Sequence, residues 1–366
     1  MIRSAALLLS SILFWSRNTS AFKVPGPKGP QHPPSLQVTA TEEIKPCAGI
    51  GIAGMGCNTE GQEQVSVIPP MVGSTELCLT TFNLLAPCYK RLGGSKGLLS
   101  RTPRESEFDG VWSQRVTGTA DFIASYLETS DLICLQEFWC QSEEYQSVMR
   151  NRLQAKYDFH LLKRPGKKQD GIAVLCRKGR FAVLSSQGAR LSDHGDRVAL
   201  MLHLQEQGGK GQELLLANTH LSFPHNAIDR SKQMAQIQRL TQGLEDFATK
   251  CSPLPHPDAP RIIVGDLNVE ENDPVCLHLS ESGYRNAYRT HYRDGRRAVS
   301  HLTHRGEALM VDHVFYKSST KGSLGVKHAA LIPAGEEETT WNDRFDLSDH
   351  RPLTVQLDLS ASAKNA

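Results

Sequence analysis

The sequence predicts a layered α/β sandwich. Short runs rich in Val, Ile and Leu recur between residues 75 and 360, and each stops abruptly at an acid, an amide or a histidine. Strand-like runs outnumber helical ones, and the helical stripes interleave with them rather than forming a separate block. Elements in that order bury their apolar faces best as sheets covered by helices.

The first 74 residues carry none of this pattern. Met1–Ser4 holds one Arg, Ala5–Trp15 is mainly apolar, and Thr19-Ser20-Ala21 supplies small residues before Phe22. That is the layout of a cleavable signal peptide over 1–21, with an apolar run too short to span a bilayer comfortably. Residues 22–74 are rich in Pro, Gly, Ser and Thr, carry Lys23, Lys28 and Lys45, and hold no acid before Glu42. Such a composition has no periodic apolar face to fold on and reads as a disordered, transit-peptide-like leader or linker. The Ser-Ala-Phe junction resembles the bipartite plastid presequences of diatoms and related algae. The expectation is plastid import through the secretory pathway, with plain secretion as the alternative and no stable membrane span after processing. Asn18, the one Asn-x-Ser/Thr site, lies inside the signal.

The folded domain is expected over 75–360, with 361–366 as a tail. Leu77–Asn83 is a strand ending in an amide, followed by Ala86-Pro87 and a Gly-rich loop to Gly97. Trp112, Val116, Ile123 and Leu127 keep helical spacing, with Arg115 one turn from Trp112. Asp131–Gln136 is a buried strand that ends at Glu137. Gly171–Leu175, Phe181–Leu184, Arg197–Leu204 and Glu213–Thr219 are further strands, and His220 follows the last of them. Ile237, Leu240, Leu244 and Phe247 stripe a second helix, which the Pro-rich stretch 253–260 ends.

Ile262-Ile263-Val264 then reads as the central strand, closed by Gly265-Asp266-Leu267-Asn268. Residues two apart on a strand share a side, so Asp266 and Asn268 can face one ligand. Val311–Tyr316, which includes Asp312, and Leu353–Leu359, preceded by Asp349 and His350, complete the pattern. Singly, each polar strand end has an ordinary explanation as a capping amide, a surface acid or a satisfied core histidine. Their repetition in one format suggests that several strands deliver acids, amides and imidazoles to one sheet edge, as a metal–phosphate site requires.

Charge narrows the partners. The net charge is +2, so no global field draws the molecule onto nucleic acid or anionic lipid, and any basic footprint has to be local. Lys163, Arg164, Lys167 and Lys168 form one basic cluster; Arg289, Arg293, Arg296, Arg297 and Arg305 form another. Each is either a solvated loop or the footprint of a polyanion. Tyr284, Tyr288 and Tyr292 offer base-stacking surfaces, or else the buried face of a helix. The nine cysteines show no zinc-ligand spacing, and Cys78, Cys134 and Cys176 lie in apolar runs as small buried thiols.

Taken in order, T-F-N-L-L-A-P, L-Q-E, N-T-H-L, G-D-L-N, V-D-H-V-F-Y and S-D-H-R-P-L resemble the motifs of the endonuclease/exonuclease/phosphatase superfamily. F-N-L-L-A-P, the W-S-Q-R of Trp112–Arg115 and Asp170-Gly171 before a strand look nearest to its deadenylase and nocturnin-like branch. Leu267 departs from the pattern, where the family more often has Phe.

The resemblance implies a four-layer α/β sandwich, two mixed β-sheets flanked by helices. It also implies a Mg2+-dependent phosphodiesterase, with Mn2+ as an acceptable substitute. Glu137, Asn83 and Asp349 become the expected metal ligands, in keeping with the preference of Mg2+ for few carboxylates among oxygen donors. Asp266 is then the base that acts with the metal to activate water, and Asn268 the amide that bonds the phosphorane oxygens. His350, oriented by Asp312, and His220 serve the phosphate or the leaving group. Lys167, Lys168, Arg296 and Arg297 are the expected substrate contacts. The expected substrate is single-stranded RNA, cut as by a 3′ exoribonuclease or deadenylase. The alternatives are a small phosphoester or phospholipid head group, as for a sphingomyelinase-like enzyme, and a non-catalytic binder. No protein partner is inferred.

Overall fold

Two six-stranded sheets lie face to face in a computed structural model that describes residues 75–93, 102–193, 195–208, 210–250, 258–320, 322–334, 341 and 345–360. These residues belong to the unit Val65–Ala366. The signal peptide, the leader, Gly97, Cys47, Cys57, Cys251 and the tail lie outside the described residues.

In chain order the elements are β1 (Glu76–Asn83), a short 3-10 turn (Glu105–Glu107), α1 (Asp109–Tyr126), β2 (Leu132–Phe138), α2 (Glu143–Leu153), β3 (Tyr157–Lys163), β4 (Gly171–Arg177) and β5 (Phe181–Arg190). There follow β6 (Val198–Glu206), β7 (Glu213–His220), α3 (Ala227–Lys250), β8 (Arg261–Asp266), α4 (Pro274–Glu281), β9 (Arg285–Asn286) and α5 (Ala287–His291). The chain closes with β10 (His301–Leu302), β11 (Ala308–Leu309), β12 (Asp312–Lys317), β13 (Gly325–Leu331) and β14 (Leu353–Asp358).

The first sheet runs β13-β14-β1-β2-β4-β3 and the second β5-β6-β7-β8-β12-β9. β1 pairs with β2, and β7 with β8, in parallel; their other neighbours are antiparallel, so both sheets are mixed. Alternation along the strands sorts residues into layers. Leu132 and Cys134 pack between the sheets with Ile262 and Val264. Ile133 and Leu135 turn outward onto Trp112, Val116 and Ile123 of α1 and Tyr145 and Met149 of α2. Ile263 turns outward in the other direction, onto Ile237, Leu240, Leu244 and Phe247 of α3 and Leu279 of α4. The result is the expected four-layer sandwich. Leu267 is fully buried in the α3 layer, so the departure from Phe is absorbed as core.

Several elements escaped sequence reading. β5 continues to Arg190 rather than stopping at Leu184, because it is an edge strand with a register shift between Val183 and Ser185 and so needs no apolar alternation beyond that point. α2 is strongly polar and buries only Tyr145, Met149 and Leu153. β13 is half exposed over its first residues, which hides its period. The tyrosine series belongs to the fold: Tyr284 and Tyr288 are buried, so the two are unavailable to stack on bases.

Candidate active site

Strand direction gathers the polar ends. Parallel pairing puts the C-terminal ends of β1 and β2 side by side, and those of β7 and β8 likewise. β12 and β14 run antiparallel to β8 and β1, so their N-terminal ends arrive at the same edges. Asn83, Glu137, His220, Asp266, Asp312 and His350 therefore come from six different strands or strand edges to one end of the sandwich. A polar bridge lies beneath them: Gln136 donates to Asn218 Oδ1 at 2.8 Å from one sheet to the other.

Asp266 is the hub. Its Oδ2 accepts from Asn83 Nδ2 at 2.9 Å, across the two sheets, and lies 3.3 Å from His220 Nε2 and 3.7 Å from His350 Nε2. Its Oδ1 accepts the Asn268 backbone N–H at 2.9 Å. The carboxyl is 1% exposed. Burial first, and then Asp312, raise it to about 6 against the pull of His350. Gly265 makes this geometry possible: its φ is +141°, and an added Cβ would stand 1.9 Å from the Thr219 carbonyl oxygen.

Asp312 accepts from His350 Nδ1 at 2.8 Å and from Ser300 Oγ at 2.7 Å. Burial works against charge on the His350 ring, but Asp312 and Asp266 outweigh it and raise that histidine to about 10. His220 goes the other way: burial, then Arg197, hold it well below the usual histidine range. The two imidazoles that face Asp266 therefore differ, with charge favoured on His350 and disfavoured on His220. Ser348, which lacks the setting of a nucleophile, bonds the Asn83 carbonyl at 2.7 Å and receives the His350 N–H at 3.1 Å, tying β1 to the loop that carries His350.

Glu137 and Asn268 sit in left-handed backbone, at φ 52° and 54°. Non-glycine residues held there store strain, and such strain concentrates at functional sites. Glu137 Oε2 accepts the Ala86 N–H at 3.1 Å. Burial, then Asp349, then Asp170 raise its carboxyl to about 7. A buried carboxyl pushed up by its acidic neighbours, on the strand paired with the one that ends in Asn83, suits a hard divalent cation with oxygen ligands. Glu137 stands outside the two tightest donor groups, His301–Asp349–His350 and Asp266–Asp312–His350. In those groups His350 bonds Asp312 through Nδ1 and faces Asp266 with Nε2. Asn268 donates from Nδ2 to the Leu221 carbonyl at 3.0 Å.

The basic clusters separate. Lys167 and Lys168 line a cavity of about 1030 Å³ together with Arg190, Lys232 and Ser222. Its walls include Cys88 and Tyr89 and the Gly195–Asp196 turn, which adjoin β1 and β6 at the end where the carboxylates gather. Arg164 is buried instead, bonded to Asp170 at 3.1 Å and Asp196 at 2.6 Å. In the second cluster Arg289 pairs with Glu271, Arg296 folds back on Asp294 at 2.7 Å and over the Tyr292 ring, and Arg297 donates to the Ala308 carbonyl.

Two residues in the site were missed. His301 stacks on His350 with ring centroids 4.0 Å apart and bonds the Asp349 carbonyl at 3.1 Å. Burial, then His350, lower it to about 4. Arg197, just before β6, influences Glu137 and His220. Neither carried a sequence signal: His301 lies on a two-residue strand, and Arg197 reads as the polar start of an apolar run.

A buried carboxylate ringed by an amide and two imidazoles, beside an oxygen-rich metal position on a two-sheet sandwich, defines a phosphoester-hydrolase type of site. The chain belongs to the Endonuclease/Exonuclease/phosphatase family, whose model matches residues 81–350. It is 32% identical over 258 residues to an uncharacterized calcium-binding protein of Arabidopsis thaliana, covering 67% of this chain and 51% of that protein. The chain spans about half, or less, of the length of the curated relatives it matches. Its fold is shared with the human nocturnin catalytic domain with bound sulfate anion, at a TM-score of 0.56 and 21% identity over 78% of this chain and 94% of that one. It is also shared with ANGEL2, a 2′,3′-cyclic phosphatase, in complex with adenosine-2′,3′-vanadate: TM-score 0.61, 18% identity, 78% and 96% covered. The chain is also similar to Protein angel of Drosophila melanogaster, 26% identical over 166 residues that cover 42% of this chain and 43% of that protein.

Proposed function

We propose that the protein is a Mg2+-dependent phosphodiesterase that hydrolyses single-stranded RNA from its 3′ end, in the manner of a deadenylase. The observation that carries the reading is the convergence of Asn83, His220 and His350 on one oxygen of Asp266. That arrangement orients a carboxylate as a base while keeping cationic and neutral imidazole donors within reach of the same phosphate.

Asp266 takes a proton from water as the water oxygen bonds phosphorus, and the 3′ oxygen leaves with a proton from His350 Nε2. Asp312 fixes the ring so that Nε2 faces the reaction, and His301 stacks behind it. His220 and Asn268 bond non-bridging oxygens as charge builds there. Glu137, with Asn83 and Asp349, would hold Mg2+; the bound cation supplies positive charge that polarises the phosphoryl group. The strand beyond the scissile bond lies along the cavity that Lys167 and Lys168 line, whose cations offer phosphate contacts. Arg296 and Arg297 serve as outer contacts, once released from Asp294 and the Ala308 carbonyl.

ANGEL2, whose fold this chain shares, is a 2′,3′-cyclic phosphatase, and this supports a small phosphoester as the second reading. A panel of single-stranded RNA, nucleotide 2′,3′-cyclic phosphates, nucleotide phosphates and phospholipid head groups, each with Mg2+ and with EDTA, separates the two. RNA cleavage abolished by EDTA supports the proposal; hydrolysis of small esters alone replaces it with the second reading. Residues 1–74 direct plastid import in this proposal, and a fluorescent fusion of that segment that reaches neither plastid nor secretory pathway in an algal cell refutes it.

A further inference from the structure

Arg197 is the cation in the site that no sequence motif points to. Its position is set by backbone pairing: its carbonyl accepts the Leu191 N–H at 3.0 Å, and the next carbonyl, of Val198, accepts from Thr219 Oγ1 at 3.1 Å. β6 and β7 pair Ala199 with Thr219, so the chain at Arg197 passes the end of β7 where His220 stands. The guanidinium shares its surroundings with Arg164 and with Asp170, Glu137 and Asp266.

Three acids beside a guanidinium suggest a structural ion pair, but two of the three are bonded elsewhere. Asp170 is already claimed by Arg164, at 3.1 and 3.2 Å, and by the Tyr89 hydroxyl at 2.5 Å. Asp266 is claimed by Asn83, the Asn268 backbone and the two histidines. Arg197 Nη1 is buried and has no hydrogen-bond partner among the described residues. A buried charged donor without an acceptor is costly, and it persists where a ligand completes it. Planar guanidinium donors fit phosphate oxygens in pairs.

We propose that Arg197 is a catalytic residue that grips a non-bridging oxygen of the scissile phosphate through Nη1 and offsets the charge of the phosphorane. This rests on the phosphodiesterase reading for its reaction, though not for its phosphate contact. It assigns Arg197 a contact separate from those of His220 and Asn268.

The test uses the full chain with Mg2+, bis(p-nitrophenyl) phosphate as the diester, inorganic phosphate as the binding probe, and the variants Arg197→Met and Arg197→Lys. Thermal melting confirms that each is folded. Arg197→Met is expected to lose about 10²-fold in kcat, as for removal of one donor to a developing oxyanion. It is also expected to bind inorganic phosphate at least about tenfold more weakly and to regain rate with added guanidinium ion; Arg197→Lys should fall between. Wild-type turnover with Arg197→Met unchanged in kcat, or a folded Arg197→Met that guanidinium does not rescue, overturns the assignment while the phosphodiesterase reading stands. If the wild type cleaves no diester, that reading fails, and phosphate titration decides Arg197 alone: weaker binding by Arg197→Met upholds the contact, and equal binding removes it.

Discussion

Asp312 Oδ2 receives the Nδ1 of His350 at 2.8 Å, and this one bond leaves the opposite ring nitrogen facing Asp266 at 3.7 Å. Strand pairing enforces the relationship, since Asp312 is the direct register partner of Asp266. Asp266 and Asp312 are therefore set against each other by two adjacent strands, and His350, from the loop before β14, bridges them.

Asp266→Asn and His350→Ala should each lower turnover by about 10² or more while the fold persists, because positioned acid–base groups contribute on the order of 10² to 10⁴. Steady-state kinetics with parallel thermal melts check this. A fall in melting temperature with turnover unchanged would mark both residues as structural.

Glu137→Gln should shift the Mg2+ requirement upward, since an amide keeps an oxygen but loses the charge that holds a hard cation. A Mg2+ titration that overlays the wild type excludes Glu137 as a ligand.

The acid limb of kcat/KM should have an apparent pKa near 6. The sign follows from burial, which raises Asp266 to about 6, so the acid takes up its proton at higher pH than an exposed carboxyl and the base form is lost as pH falls through that value. His350, raised to about 10, keeps its proton across the same range, and Glu137, raised to about 7, is held ionised by measuring at saturating Mg2+, so the limb reads Asp266. A pH–rate profile flat from pH 7 to 5 contradicts the assignment of Asp266 as base.

Most of the site was legible because the strands deliver it. Asn83, Glu137, Asp266 and His350 each punctuate a hydrophobic run, and the run itself betrays them. Arg197 and His301 were hidden because their places depend on which strands pair, information that is non-local. The same cause hid α2 and β13, whose residues gain their burial from neighbours far along the chain. Arg164 shows the converse: it looks like a surface cation in a basic loop, yet it is 7% exposed and spent on Asp170 and Asp196.

Gly265→Ala should destabilise the protein by about 1–3 kcal/mol for its backbone conformation alone, before the clash with Thr219 is counted. Because the displaced segment carries Asp266, activity should fall further than stability. Denaturant unfolding set beside turnover checks both, and an alanine variant with wild-type stability would show that this backbone is not held as described.

Lys167→Gln with Lys168→Gln should reduce the slope of log K against log salt for single-stranded RNA by up to about 1.4, at about 0.7 for each phosphate no longer neutralised. The paired change at Arg296 and Arg297 tests the outer contacts in the same way, since those side chains, like Lys168 with Asp196 at 3.3 Å, leave a partner before they reach phosphate. Binding to the Asp266→Asn variant across a salt series reads both, and slopes unchanged by the lysine pair would remove the cavity from the RNA path.

Water attack at phosphorus, driven by Asp266, is tested most directly by single-turnover cleavage of a short single-stranded RNA in ¹⁸O-labelled water with Mg2+. The expected result is one ¹⁸O in the phosphate of the released 5′ nucleotide, with the rate lost in Asp266→Asn. An unlabelled product, a 2′,3′-cyclic intermediate, or label arriving at wild-type rate in Asp266→Asn would contradict it.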